Sequence, residues 1–173
     1  MSEPQRLFFA IDLPAEIREQ IIHWRATHFP PEAGNRPPPD INLDWCRGSS
    51  AEKEKALSLL AGRIRQPGFT LTLDDAGQWL RSRVVWLGMR QPPRGLIQLA
   101  NMLRSQAARS GCFQSNRPFH PHITLLRDAS EAVTIPPPGF NWSYAVTEFT
   151  LYASSFARGR TRYTPLKRWA LTQ

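Results

Sequence analysis

What most constrains this chain is how little sequence separates its strand-like runs. Phe69-Thr-Leu-Thr-Leu-Asp74 alternates apolar and polar residues with period two, and Arg83-Val-Val-Trp-Leu-Gly-Met89 follows across a turn expected around Ala76-Gly77. Tyr144 to Ala153 and Tyr163 to Leu171 are likewise joined by a short basic hairpin, Phe156-Ala-Arg-Gly-Arg-Thr-Arg162. Connections this short join antiparallel neighbours, whereas a parallel crossover needs about a dozen residues or more. Arg6–Asp12, Ile41–Cys46 and Phe119–Leu126 read as further strands. Helices are expected from Pro14 to about His28 (Ile17, Ile21, Ile22 and Trp24 at helical spacing), from Ala51 to Arg65 (Leu57, Leu60, Ile64), and from Pro92 to Ser110 (Leu96, Leu99, Met102, Leu103). Strand pairs around single helices predict an α+β fold of antiparallel sheets rather than a doubly wound parallel one.

Charge points to the kind of partner. Lys+Arg is 22 against 14 for Asp+Glu, a net charge of +8, with a pI near 10.5. Only Lys53, Lys55 and Lys167 are lysines, so nearly all the positive charge is guanidinium, whose planar fork of donors suits phosphate. Hydrophobic residues at 41% and charged residues at 21% are ordinary for a folded domain. Two cysteines, Cys46 and Cys112, cannot build a disulfide framework or a four-thiolate metal site, and a reducing cytoplasm is the expected compartment. The apolar run Leu7–Ile11 is too short for a signal peptide or a membrane span, and no membrane association is expected.

The chemistry concentrates in Pro118-Phe-His-Pro-His-Ile-Thr-Leu-Leu-Arg127. On a strand, His120, His122 and Thr124 share one face while Ile123 and Leu125 point to the core. His122 and Thr124 are then roughly 7 Å apart along the strand, a gap that can bracket one phosphate. The threonine would donate to a non-bridging oxygen, and the imidazole would exchange a proton with an attacking or departing one. Pro121 has no amide proton, so the strand either lies at an edge or begins near His122. Arg127 is available to neutralise the phosphate. No paired His or carboxylate spacing of a metal-ligand kind is present, so neither a metal nor another cofactor is expected.

Arg6-Leu-Phe-Phe-Ala-Ile-Asp-Leu-Pro14, Arg83-Val-Val-Trp-Leu-Gly88, Pro121-His-Ile-Thr-Leu125 with Arg127, Leu151-Tyr-Ala-Ser154 and Arg162-Tyr163 together resemble the two-histidine (2H) phosphoesterases. The likeness is to the bacterial LigT-like RNA 2′,3′-cyclic phosphodiesterases, also described as 2′-5′ RNA ligases, and it runs in order along nearly the whole chain. The resemblance implies a single bilobal domain over residues 1–173, with two antiparallel sheets flanked by helices, pseudo-twofold symmetry and a central cleft. It implies two His-x-Thr strands, one per lobe, acting without metal on RNA 2′,3′-cyclic phosphate ends, tRNA fragments among them, to leave a 2′-phosphate. The reverse reaction would be 2′-5′ ligation. His122 and Thr124 would be catalytic, and Thr124 and Arg127 would bind substrate, in a cytoplasmic monomer.

The first motif of that family is missing. Where Asn-Leu-His-x-Thr-Leu is expected, the chain reads Asn42-Leu43-Asp44-Trp45-Cys46, with Asp44 at the histidine position and Cys46 at the threonine position. Asp44 would be ionised at neutral pH and able to act only as a base, and a thiol is a weak donor in place of a hydroxyl. A mismatch confined to one block, with agreement on both sides, has the form of a local alteration to a family enzyme. It predicts severely reduced activity. The alternative is an RNA-end binding protein without catalysis, using Arg127, Arg158, Arg160 and Arg162.

Overall fold

The computed structural model describes residues 6–39, 41–46, 51–112, 119–129 and 132–172, with the backbone alone at 42, 44–46, 51, 156, 157, 160 and 161. The elements are β1 (Arg6–Ile11), α1 (Ala15–His28), β2 (Ile41–Cys46), α2 (Ala51–Ala61), β3 (Phe69–Leu73), β4 (Asp75–Trp79), β5 (Val84–Gly88), α3 (Arg94–Arg109), β6 (His122–Leu126), β7 (Trp142–Val146), β8 (Glu148–Ala157) and β9 (Arg160–Ala170). A seven-stranded sheet runs β4-β5-β6-β2-β1-β8-β9, and β3 and β7 form a two-stranded sheet. The strand pairings of both sheets are antiparallel. The expected α+β fold is the one observed.

The large sheet has two halves that meet where β2 and β6 pair at Ile41 and Ile123. One face carries the main core: Leu7, Phe9 and Ile11 of β1 pack with Ile21 of α1, Leu57 of α2, Leu96, Leu99 and Leu103 of α3, and Ile123 of β6. The other face carries a smaller cluster of Phe8, Ala10 and Tyr152, with Tyr163 against it. α1 ends where Phe29 turns extended ahead of Pro30, and α3 ends at Ser110 before Gly111, whose φ of 86° favours glycine. Pro165 is tolerated because β9 is an edge strand.

Two expectations are corrected. The turn expected at Ala76-Gly77 lies instead at Leu80–Arg83, with Arg83 at φ 60°, and residues 75–79 are a strand paired with β5. Gly77 is small because the Trp86 ring lies over it: an added Cβ would stand 2.5 Å from that ring. Phe69–Leu73 pairs with β7 rather than with its sequence neighbour, so Tyr144–Ala153 is two strands that change sheets at Thr147. Cys112 is disulfide-bonded. No helix among the described residues is long and apolar enough to cross a membrane.

Candidate active site

β6 begins at His122, immediately after Pro121, and it is a central strand, so of the two options Pro121 allowed, the start-of-strand one is observed. Ile123 is fully buried, while His122 and Thr124 are half-buried on the opposite face. Within β5, Gly88 pairs with His122 and Trp86 with Thr124. The glycine opposite His122 leaves room for the Trp86 ring, which a Cβ there would approach to 3.1 Å.

A bulge then re-aims the strand. The β5–β6 register shifts so that Val85 pairs with Leu126 and Trp86 with Thr124, leaving Leu125 as the extra residue. In a regular strand Arg127, three residues past Thr124, would fall on the opposite face. With the bulge it falls on the same one: Arg127 Nη2 donates to Tyr163 Oη at 3.1 Å, beside the small cluster. The Arg127 backbone is tied to Asn35 by two hydrogen bonds of 2.8 Å. Gly34 permits that approach, since a Cβ there would stand 2.7 Å from the Arg127 carbonyl. Arg25, buried in α1, donates from Nη1 to the Pro37 carbonyl at 2.8 Å and, more weakly, to the bulge residue's carbonyl, Leu125 O, at 3.4 Å. Burial first, then Arg36 and Arg18, lowers its pKa to about 10, so it remains a cation.

His122 Nδ1 lies 2.7 Å from the His120 carbonyl oxygen. That oxygen can only accept, so Nδ1 carries the proton and Nε2 is left with its lone pair. Burial is the largest influence on its pKa and lowers it below the ordinary 6.5; the backbone hydrogen bond opposes this, and His120 and Arg127 add to the lowering. His122 is therefore neutral at pH 7, in the form that takes up a proton. His120, exposed and ahead of the strand, contacts the same ring as His122: each stands edge-on to Trp79, at 4.9 and 4.8 Å between centroids.

The first-motif strand is positioned differently. The β1–β2 ladder also shifts, between Phe9 and Ala10, and it pairs position 44 with Phe9 and position 46 with Leu7. Arg158 and Gly159, at φ 54° and 74°, form the tip of the β8–β9 hairpin with Arg162 exposed nearby; Arg160 is described by its backbone alone. Among the described residues no group of three or more His, Cys, Asp or Glu could hold a metal ion.

The sequence names His122, Thr124 and Arg127 as candidates but not what positions them: the bulge at Leu125, Arg25 beneath it, and Tyr163 beside Arg127. None of these has a local signature, because each depends on a partner distant in the chain.

A neutral imidazole, a hydroxyl and a guanidinium on one open sheet face make a class of site suited to acid-base chemistry on a phosphate without metal. The family model of the 2′-5′ RNA ligase superfamily matches residues 13–154, and the chain belongs to that superfamily. It is 91% identical, over all of both chains, to an RNA 2′,3′-cyclic phosphodiesterase of Escherichia coli (strain K12). It is 29% identical to one of Thermus thermophilus, covering 96% of this chain and 90% of the relative. Among solved structures, E. coli LigT complexed with 3′-AMP superposes with a TM-score of 0.94 at 90% identity, covering 99% of this chain and 100% of that one.

Proposed function

We propose that the chain is an RNA 2′,3′-cyclic phosphodiesterase acting through the β6 side of its sheet, as one bilobal unit over residues 1–173 and as a cytoplasmic monomer. The observation that carries the chemistry is the His122 hydrogen bond, which holds the proton of the neutral ring on Nδ1 and leaves the Nε2 lone pair to accept one. His122 takes the proton from an attacking water. The new P–O bond forms as the bond to the ribose 3′-oxygen breaks, leaving a 2′-phosphate. Thr124 donates to a non-bridging oxygen, where charge grows in the transition state, and Arg127 balances that charge. The relative's phosphodiesterase name and the 3′-AMP and phosphate complexes of E. coli LigT support a nucleotide phosphate as the group held.

The departing 3′-oxygen needs a proton, and Ile41–Cys46 contains no histidine to supply it. General acid catalysis by a positioned group contributes about 10²–10⁴ in rate, so turnover here is expected to fall below the relatives' by a factor of that order. The same observation favours a second reading, in which the chain binds RNA ends through Arg127 and the hairpin arginines without turning them over. Incubation with adenosine 2′,3′-cyclic monophosphate in EDTA separates the two. Slow formation of the 2′-phosphate alone supports the phosphodiesterase; salt-dependent binding with no product supports the binding protein.

A further inference from the structure

We propose that Tyr163 of β9 is the proton donor to the departing ribose oxygen, supplied from the half of the large sheet that does not carry His122. The inference rests on the phosphodiesterase reading, which leaves that oxygen in need of a proton and Ile41–Cys46 without a histidine to give it. Attacking and departing oxygens stand roughly in line on opposite sides of phosphorus, so the acid belongs across from the base. His120 does not meet that condition: it lies two residues before His122, and its own carbonyl holds the His122 ring. In the other half, Thr150 and Tyr152 both give their hydroxyl protons to Asp12. Tyr163 is the hydroxyl of that half that reaches across to the candidate site, at Arg127.

The bond between them sets the direction of the phenolic proton. Arg127 Nη2 donates to the Tyr163 oxygen at 3.1 Å, and a guanidinium has no lone pair to accept in return. The phenolic proton is therefore not spent on that bond, and a phosphate neutralised by the same arginine comes within its reach. The half-buried ring is braced from behind: it stands edge-on to Phe8 at 4.8 Å, and Phe8, 1% exposed, stacks on Tyr152 at 5.3 Å. In the step, the water oxygen bonds to phosphorus as His122 Nε2 takes its proton. The bond from phosphorus to the 3′-oxygen breaks, and that oxygen takes the phenolic proton. The phenolate left behind is balanced by Arg127 and regains a proton from solvent as His122 releases one, so the reaction consumes only water. A phenol keeps its proton at neutral pH, so the donor is in its working form, though it parts with that proton less readily than an imidazolium does.

The test changes the departing atom. Adenosine 2′,3′-cyclic monophosphate loses an oxygen that must be protonated, whereas its analogue with sulfur bridging phosphorus and C3′ loses a thiolate that need not be. Tyr163→Phe keeps the ring against Phe8 and removes the hydroxyl. It should lower kcat for the oxygen substrate about ten-fold, short of the 10²–10⁴ of a fully positioned acid, and so raise the sulfur-to-oxygen ratio of kcat by the same factor. His122→Ala should slow both substrates and leave that ratio in place. Turnover of the sulfur substrate by Tyr163→Phe shows at the same time that the variant folds. An unchanged ratio in Tyr163→Phe, whether both rates fall together or neither falls, overturns Tyr163 as the acid and leaves the phosphodiesterase reading intact. Hydrolysis of the sulfur substrate alone by the unaltered chain overturns Tyr163 as well. If the unaltered chain hydrolyses neither substrate, the phosphodiesterase reading itself fails, and the proton donor with it.

Discussion

The two halves of the large sheet each carry a bulge near the middle of the molecule, with opposite consequences. In the β4-β5-β6 half the extra residue is Leu125, and the shift brings Arg127 round to the face that already holds His122 and Thr124. In the β2-β1-β8-β9 half the shift lies between Phe9 and Ala10, and it puts positions 44 and 46 in register with the core residues Phe9 and Leu7. One half gathers His122, Thr124 and Arg127, the candidate site residues, on the open face; the other places there an aromatic cluster and a carboxylate network. Asp12 accepts hydrogen bonds from Thr150 at 2.9 Å and from Tyr152, and lies 3.6 Å from Arg168.

The comparison can be broken most sharply at Thr124. Thr124→Ala should lower kcat by about 10²–10³, the cost of one donor to a developing oxyanion, while Thr124→Ser should recover most of it. Arg127→Gln should lower kcat/KM roughly ten-fold, on the order of one charge-assisted hydrogen bond. It should also move the acid limb of the pH profile upward. Burial, and to a lesser degree His120 and Arg127, hold the His122 pKa below 6.5, so activity rises with pH through a value below 6.5, and removing one cation raises that value. The sign for stability follows. Between the folded pKa and 6.5 the unfolded chain binds more protons at this site, so His122's linkage contribution to stability is complete above 6.5 and declines as pH falls towards the folded value. Thermal melts at pH 5 and 7, with and without His122→Ala, would detect it.

A smaller effect is expected beneath the bulge. Arg25→Met strands the Pro37 carbonyl and loosens that of Leu125, and should cost about 1–3 kcal/mol of stability, with a few-fold fall in kcat/KM for which roughly 1 kcal/mol of misplacement suffices. The smallest is in the other half: Asp44→Asn should change kcat/KM by less than about two-fold, within roughly 0.4 kcal/mol. A large loss there would make Asp44 a working base and erase the contrast between the halves.

Local pattern carried much of this molecule into view. Leu7–Ile11 is a buried strand as its apolar run predicts, α3 buries Leu96, Leu99 and Leu103 as their spacing predicts, and Pro121 marks the start of β6. Pairing between distant strands was not legible. Phe69–Leu73 alternates like a hairpin arm, yet its partner is β7, and Gly77 looks like a turn residue although it serves as the seat of an indole ring. The candidate site divides the same way. His122 and Thr124 follow from a period of two, whereas the face on which Arg127 lies depends on a bulge set by β5.

The most direct test of the β6 half as the seat of catalysis is hydrolysis of a 2′,3′-cyclic nucleotide in EDTA by the unaltered chain and by His122→Ala. The variant should lose about 10²–10⁴ of the rate while retaining its fold by circular dichroism. Undiminished turnover in His122→Ala would contradict the assignment and move the chemistry elsewhere in the molecule.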